Sequence, residues 1–230
     1  ELKTFSAWEN KTQEVIALQN KWKTIGFAPQ KMNVKIFERF RRACDDFFKK
    51  KGEFFKSLKE GMNENLEKKK ALFLFLCRMG FREIEVGFPA ASDTEYQFVR
   101  TLIEHNLIPP QVMIQVLTPA REPIIRRTMQ SLSGCKQAIV HLYNPTSRAQ
   151  REQVFEKSKE EIIEIAVSAV RVIKECAAKI KGKIQLEYTP ESFTATEPDF
   201  ALEICNAVVE EWGESPLPQV LRLSLHFEEE

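Results

Sequence analysis

Glu83-Ile84-Glu85-Val86-Gly87-Phe88-Pro89 separates two kinds of sequence in this chain. Arg82–Val86 alternates charged and apolar residues as a half-buried strand does, and Gly87-Phe88-Pro89 ends the run with strong breakers. Toward the carboxyl end the apolar period then switches repeatedly between strand and helix. Asp93 is placed to cap a helix over Thr94–His105, with Glu95 favouring its first turn. Gln111–Leu117 reads as strand and Glu122–Leu132 as helix; Gln137–Leu142 reads as strand and Lys159–Ile180 as a long amphipathic helix. Ile184–Tyr188 is a further strand, Asp199–Trp212 a helix, and Val220–Leu225 a last strand-like run.

Strands alternating with helices imply parallel pairing through right-handed crossovers. The expected fold class is α/β: a partial (β/α)8-type barrel with about five parallel strands, where a closed barrel takes about eight. Five strands leave two open edges of unpaired backbone groups. Ile84, Val86, Val116, Val140 and Leu186 are expected on an apolar inner face whose opposite strands are missing. A homo-oligomer formed through the open edges is the expected remedy.

Toward the amino end the character changes. Phe5, Trp8, Val15 and Trp22 recur at helical spacing, Gly26 and Pro29 break the pattern, and a second stripe runs through Phe37, Phe40, Cys44, Phe47, Phe54 and Leu58. Phe48 and Phe55 widen that stripe, and Lys51 interrupts it. Two amphipathic helices joined by a Gly/Pro loop predict an antiparallel hairpin over residues 1–70, with Trp8, Val15 and Trp22 against Phe37, Phe40 and Phe47. Residues 71–230 form the barrel part. The second helix of the hairpin runs on into the barrel's first helix near Lys70–Leu72, where Leu72, Leu76 and Met79 are expected to face the sheet.

Charge follows the same division. The formal net charge is +1, yet residues 1–70 hold 17 Lys+Arg against 10 Asp+Glu, and the remainder 17 against 23. Lys49-Lys50-Lys51, Lys68-Lys69-Lys70 and Arg39, Arg41 and Arg42 with interleaved aromatics raise nucleic-acid binding. Base stacking needs exposed rings, however, and these rings sit at core spacing, so the basic runs read as solvated helix faces and no nucleic-acid partner is expected. Apolar residues make up 43% and mean hydropathy is −0.33, sufficient for a core. The longest apolar run, Ala71–Cys77, is too short to cross a bilayer. Nothing at the start has the pattern of a secretory leader; the first residue is glutamate, so the true start is expected upstream. Five cysteines, an odd number with no C-x-x-C pair, fit neither a disulfide framework nor a zinc site and point to the cytoplasm.

In a barrel of this kind the chemistry gathers at the carboxyl ends of the strands. Those ends read Gly87-Phe88-Pro89, Leu117-Thr118-Pro119-Ala120-Arg121, His141-Leu142-Tyr143-Asn144 and Thr189-Pro190-Glu191-Ser192. Polar groups cluster there, as a small-molecule site requires. Each also has a plain reading: His141 hydrogen-bonded at a strand end, Glu191 or Ser192 capping a turn.

The runs themselves carry a resemblance. Met79-Gly80-Phe81-x-Glu83-Ile84-Glu85-Val86-Gly87-Phe88-Pro89-x-Ala91-Ser92, Ile114-Gln115-Val116-Leu117-Thr118-x-Ala120-Arg121-Glu122, Ala138-Ile139-Val140-His141-Leu142-Tyr143-Asn144-x-Thr146-Ser147 and Glu187-Tyr188-x-Pro190-Glu191-Ser192-Phe193-Thr194-x-Thr196-Glu197 resemble, in order, the second to fifth strands of the 2-isopropylmalate synthase family. The resemblance implies a Claisen-type acyl transfer from acetyl-coenzyme A to 2-oxoisovalerate in leucine biosynthesis, with a divalent metal polarising the keto carbonyl. It makes His141, Glu191, Ser192 and Arg121 the candidate substrate-binding residues, with the residue matching His141 beside the bound keto acid and that matching Glu191 in the same mouth. The family's Arg-Asp-Gly and His-x-His metal motifs do not occur in these 230 residues; the histidines are His105, His141 and His226. The expectation is an incomplete fragment with no cofactor of its own, no metal ligands and no catalytic residues, inactive alone. Upstream, Trp22-x-x-x-Gly26-Phe27-x-Pro29 and Phe37-Glu38-Arg39-Phe40-Arg41-x-Ala43-Cys44-Asp45-x-Phe47-Phe48 resemble an uncharacterised bacterial helical repeat, a domain of unknown function. That resemblance makes a helical interaction module, with the barrel as a non-catalytic scaffold, the alternative function.

Overall fold

The computed structural model describes residues 2–26 and 29–213. The chain separates into two compact units, Glu1–Asn65 and Leu66–Glu230.

In the first unit, α1 (Phe5–Thr24) is capped by the Thr4 hydroxyl, which accepts from the Ala7 amide. Helix α2 (Gln30–Met79) is one uninterrupted run of 50 residues, and the division between the units falls inside it. Ring contacts join α1 to the first part of α2. Trp22 stacks on Phe40 at 4.3 Å, Trp8 lies 5.4 Å from Phe47 and 5.6 Å from Phe54, and Phe5 meets Phe55 edge-on at 5.3 Å. Lys51 fills the gap in the apolar stripe by hydrogen bonding to Glu9 and Thr12, each at 2.9 Å, and its ammonium lies 5.5 Å from the centre of the Phe55 ring. Phe37 does not join this packing and is 48% exposed.

The second unit is a parallel sheet in the order β1-β2-β3-β4, built from β1 (Glu83–Gly87), β2 (Met113–Pro119), β3 (Gln137–Pro145) and β4 (Lys183–Glu191). Between them run α3 (Asp93–Glu104), α4 (Glu122–Ser131) and α5 (Lys159–Ala177), followed by α6 (Pro198–Trp212). The expected fifth strand, Val220–Leu225, lies outside the described residues. Ser92, not Asp93, caps α3: its hydroxyl accepts from the Glu95 amide, while Asp93 and Glu95 occupy the first turn, where carboxylates favour the helix dipole. A single π-type turn, Gln150–Phe155, follows β3 and has no counterpart in the sequence reading.

Alternation decides which side chains face the helices. Ile84 and Val86, Ile114 and Val116, Ala138, Val140 and Leu142, and Tyr188 all point into one apolar core shared with α3 to α6. This corrects the expectation that Ile84, Val86, Val116 and Val140 line an inner face without partners: they are buried against helices, and Leu186 packs against the same core. The opposite face instead carries Glu85, Gln115, His141, Glu187 and Thr189. The register skips one residue between Glu85 and Gly87, and Gly87 takes φ +110. L side chains rarely adopt that φ, so this sharp strand end favours glycine. The last turns of α2 also depart from expectation. Phe73 is the buried residue, with Leu66, Leu74, Leu76 and Cys77 packed beside it, whereas Leu72 and Met79 are 58% and 59% exposed.

Candidate functional site

Two polar groupings stand on the strands of the second unit. On the face away from the helices, His141 is held between neighbouring strands. Its Nε2 lies 2.6 Å from Thr189 Oγ1 and its Nδ1 3.2 Å from Gln115 Nε2. The Gln115 amide nitrogen is a donor only, and it also donates to Glu85 Oε2 at 3.2 Å. Nδ1 therefore accepts, and the Nε2 hydrogen is donated to Thr189, a tautomer assigned from this pairing. Carboxylate oxygens of Glu85 and Glu187 approach Nδ1 to 3.5 and 3.7 Å. Burial pushes the Glu187 carboxyl upward, His141 opposes that shift, and Glu85 adds to it. Both ring nitrogens of His141 are thus engaged, and the residue is 5% exposed.

The second grouping lies at the carboxyl ends of β2, β3 and β4. Arg121, at the N-cap position of α4, and Glu191, the last residue of β4, line one cavity of about 530 Å³ together with Tyr143 and Asn144. Its apolar wall includes Phe88 and Ile165. The Tyr143 hydroxyl is pushed up by burial and further by the Glu191 carboxylate, with Arg121 acting the other way, so the three groups sense one another. Asn144 is buried, and its Oδ1 accepts from the Tyr188 hydroxyl at 2.6 Å. Of the four candidates, the structure brings Arg121 and Glu191 to one cavity. His141 belongs to the other grouping. Ser192 lines neither: it takes φ 59, and its carbonyl accepts from the Ala195 amide and the Thr196 hydroxyl, as a turn residue does. Sequence reasoning includes Gln115 and Glu187 in its strand runs and Tyr143 and Asn144 among its strand ends without marking them as site residues; the signal available was their shared register level or strand end.

Behind the cavity, a buried arginine ties the loop after β3 to the start of α6. Arg151 is 4% exposed and makes a bidentate pair with Glu197 at 2.9 and 2.8 Å. It also donates to the Thr146 carbonyl and sits over the Phe200 ring at 4.6 Å. Arg151 holds the Glu197 carboxyl down to about 2. Thr146 in turn bonds the Glu191 carbonyl through its hydroxyl, at 3.0 Å, and its amide, at 3.3 Å, so the brace fixes the backbone that carries Glu191.

Among the described residues no group of three or more His, Cys, Asp or Glu side chains is placed to hold a metal ion. Among the described residues no helix is long and apolar enough to cross a membrane.

Comparison with known proteins places this geometry. The chain is 58% identical over 157 residues to the 2-isopropylmalate synthase of Desulfitobacterium hafniense, covering 68% of this chain and 28% of that protein. It is 61% identical over 146 residues to the 2-isopropylmalate synthase of Helicobacter hepaticus, covering 64% of this chain and 26% of that protein. The chain thus spans about a quarter of the length of the curated relatives it matches. Residues 35–73 match the Domain of Unknown Function (DUF349), and this match overlaps the next one within α2. Residues 58–215, well over half of the chain and including every strand described above, match the HMGL-like family, and the chain belongs to that family.

Proposed function

We propose that this chain carries the substrate mouth of a 2-isopropylmalate synthase-type acyltransferase and does not catalyse the condensation on its own. The observation that supports this reading is the cavity at the strand ends, where Arg121, Tyr143 and Glu191 converge on an otherwise apolar pocket. A short branched 2-oxo acid suits those groups. Its carboxylate pairs with the Arg121 guanidinium, Tyr143 and Glu191 orient its keto oxygen and neighbouring groups, and its alkyl branch meets Phe88 and Ile165. A Claisen condensation further requires that the keto carbonyl be polarised and that acetyl-coenzyme A lose a proton. The Arg-Asp-Gly and His-x-His sequences that would hold the metal are absent from the 230 residues, so no metal step is assigned to this chain. The five cysteines, all free thiols, support a reducing, cytoplasmic setting for it.

The test is a titration of the isotope-labelled chain with 2-oxoisovalerate, followed by amide shifts. Saturable shifts confined to Arg121, Tyr143 and Glu191, and lost in Arg121→Ala, are expected. Shifts absent at these three residues at every concentration would overturn the reading. A second reading, a helical interaction module built on an α1/α2 hairpin, draws support from Phe5, Val34 and Phe37, which are 60%, 61% and 48% exposed.

A further inference from the structure

Asn144, one residue before the end of β3, is only 3% exposed, yet its side chain lines the cavity at the strand ends. Its Oδ1 accepts from the Tyr188 hydroxyl at 2.6 Å. Tyr188 is itself buried, and burial pushes its hydroxyl well up, so the hydroxyl keeps its proton and is the donor. That pairing assigns the two ends of the amide: Oδ1 is turned to Tyr188, and Nδ2 is turned away from it. Among the described residues Nδ2 has no hydrogen-bond partner. A buried amide that lines a cavity therefore holds its N–H donors unsatisfied, which folded chains rarely tolerate without a use. Trp8 Nε1 and Thr128 Oγ1 share the condition, but neither residue lines this cavity.

The surroundings narrow the choice of acceptor. The polar side chains that line the cavity are Arg121, Tyr143, Asn144 and Glu191, and the remaining lining residues are apolar. Arg121 is the cation of the set and is matched by a carboxylate. A neutral donor in apolar surroundings is matched instead by a neutral carbonyl oxygen, which carries no full charge to be stripped of water. In a 2-oxo acid that oxygen stands on the carbon next to the carboxylate, so one small molecule presents both features.

We propose that Asn144 is the residue that selects for the 2-oxo group: its Nδ2 donates to the keto oxygen of the acid whose carboxylate pairs with Arg121, and Tyr188 is the positioning residue that turns the amide toward it. The inference rests on the reading of the cavity as a 2-oxo acid mouth and adds the group that tells a keto acid from a plain carboxylic acid. Selection is expected because an analogue without the oxygen leaves the donor buried and unpaired.

Titration of the isotope-labelled, full 230-residue chain with two acids tests this. One is 2-oxoisovalerate; the other is 3-methylbutanoate, which keeps the carboxylate and the branch but has a methylene in place of the keto carbon. The readout is the side-chain NH2 signal of Asn144, assigned by its loss in Asn144→Asp. The keto acid should shift that signal saturably and bind about tenfold or more tighter than 3-methylbutanoate, which should leave the signal in place. Asn144→Asp puts an oxygen in place of Nδ2 and keeps Oδ1 for Tyr188. It should weaken both acids through its charge and bring their affinities to within about twofold of each other. Tyr188→Phe, which adds no charge, should reduce the preference for the keto acid. If neither variant folds, the affinities of the unmodified chain for the two acids decide the question. Equal affinities would overturn the inference and leave the mouth reading standing, as would a stationary Asn144 signal while the backbone amides of Arg121, Tyr143 and Glu191 shift. A preference retained in full by Asn144→Asp would overturn it equally. No shift with either acid would overturn the mouth reading and this inference with it.

Discussion

The two units bury apolar residues on different terms. Among the described residues, the buried apolar set of the first unit is Trp8 and Cys44, joined by buried Thr12. Its remaining order rests on ring pairs such as Trp22 with Phe40 and on one lysine reaching Glu9 and Thr12. In the second unit, buried aliphatics of β1, β2 and β3 and Tyr188 of β4 interlock with the helices in one core. Aromatic pairs contribute about 0.5–1.5 kcal/mol each beyond area burial, whereas an enclosed aliphatic loses transfer energy and leaves a cavity when cut. Similar residue types thus give one unit held by separable contacts and one held by a shared interior, although α2 runs through both.

The sharpest way to break this comparison is to cut the interior. Leu142→Ala, at a fully buried site facing the helices, should cost about 2–5 kcal/mol and lower the main unfolding transition in urea. Loss of under about 1 kcal/mol would mean that the core is loose. Next comes the brace. Arg151→Ala removes a buried guanidinium but leaves Glu197 partly exposed to water, so the cost should be about 1–3 kcal/mol, below that of a fully buried pair. Because the Glu197 pKa is lowered to about 2, its stabilisation is present above the ordinary carboxylate value of about 4.3. It is lost as pH falls through about 2. Acid titrations of stability should show that this contribution vanishes in the Arg151→Ala variant.

Smaller effects belong to the first unit and to single charges. Trp22→Ala should cost about 1–2 kcal/mol, from the stack and partial burial, and amide exchange should register it only in residues before Asn65. Spread of that effect into β2 or β3 would erase the distinction between the units. Glu187→Gln concerns a carboxyl whose folded pKa is raised, so the folded state holds its proton longer than the unfolded chain does. The associated stability is present below the unfolded value and falls as pH rises through the folded one. The glutamine variant should flatten that fall; an unchanged slope would refute the assignment. Phe37→Ala, at an exposed ring, should change stability by no more than about 0.5 kcal/mol.

How far the sequence could be read follows from the same contrast. Alternation and turn residues locate all four described strands to within a few residues, because short apolar runs alternating with helical stretches and bounded by breakers such as Gly87-Phe88-Pro89 leave little choice. The same alternation fits either face of a sheet, so it puts Ile84, Val86, Val116 and Val140 on the wrong side, and only the packed helices show where the core lies. Leu72 and Met79 are misplaced for a related reason: α2 has apolar residues on several faces near its end, and Phe73 takes the buried one. Arg121 and Glu191 are legible as strand-end polar residues. The environment of His141 is not, because Gln115, Glu187 and Thr189 come from other strands and meet it only through register. Lys51 reads as an interruption, since a cation bridging two helices has no local signature.

One assay bears most directly on the proposed role: release of coenzyme A thiol from acetyl-coenzyme A in the presence of 2-oxoisovalerate and magnesium. The chain should show no release above the rate without protein, at any magnesium concentration, while the keto acid alone still perturbs Arg121, Tyr143 and Glu191. Thiol release that depends on 2-oxoisovalerate and disappears in Arg121→Ala and His141→Ala would contradict it, and would show that this portion of the barrel carries a complete catalytic set.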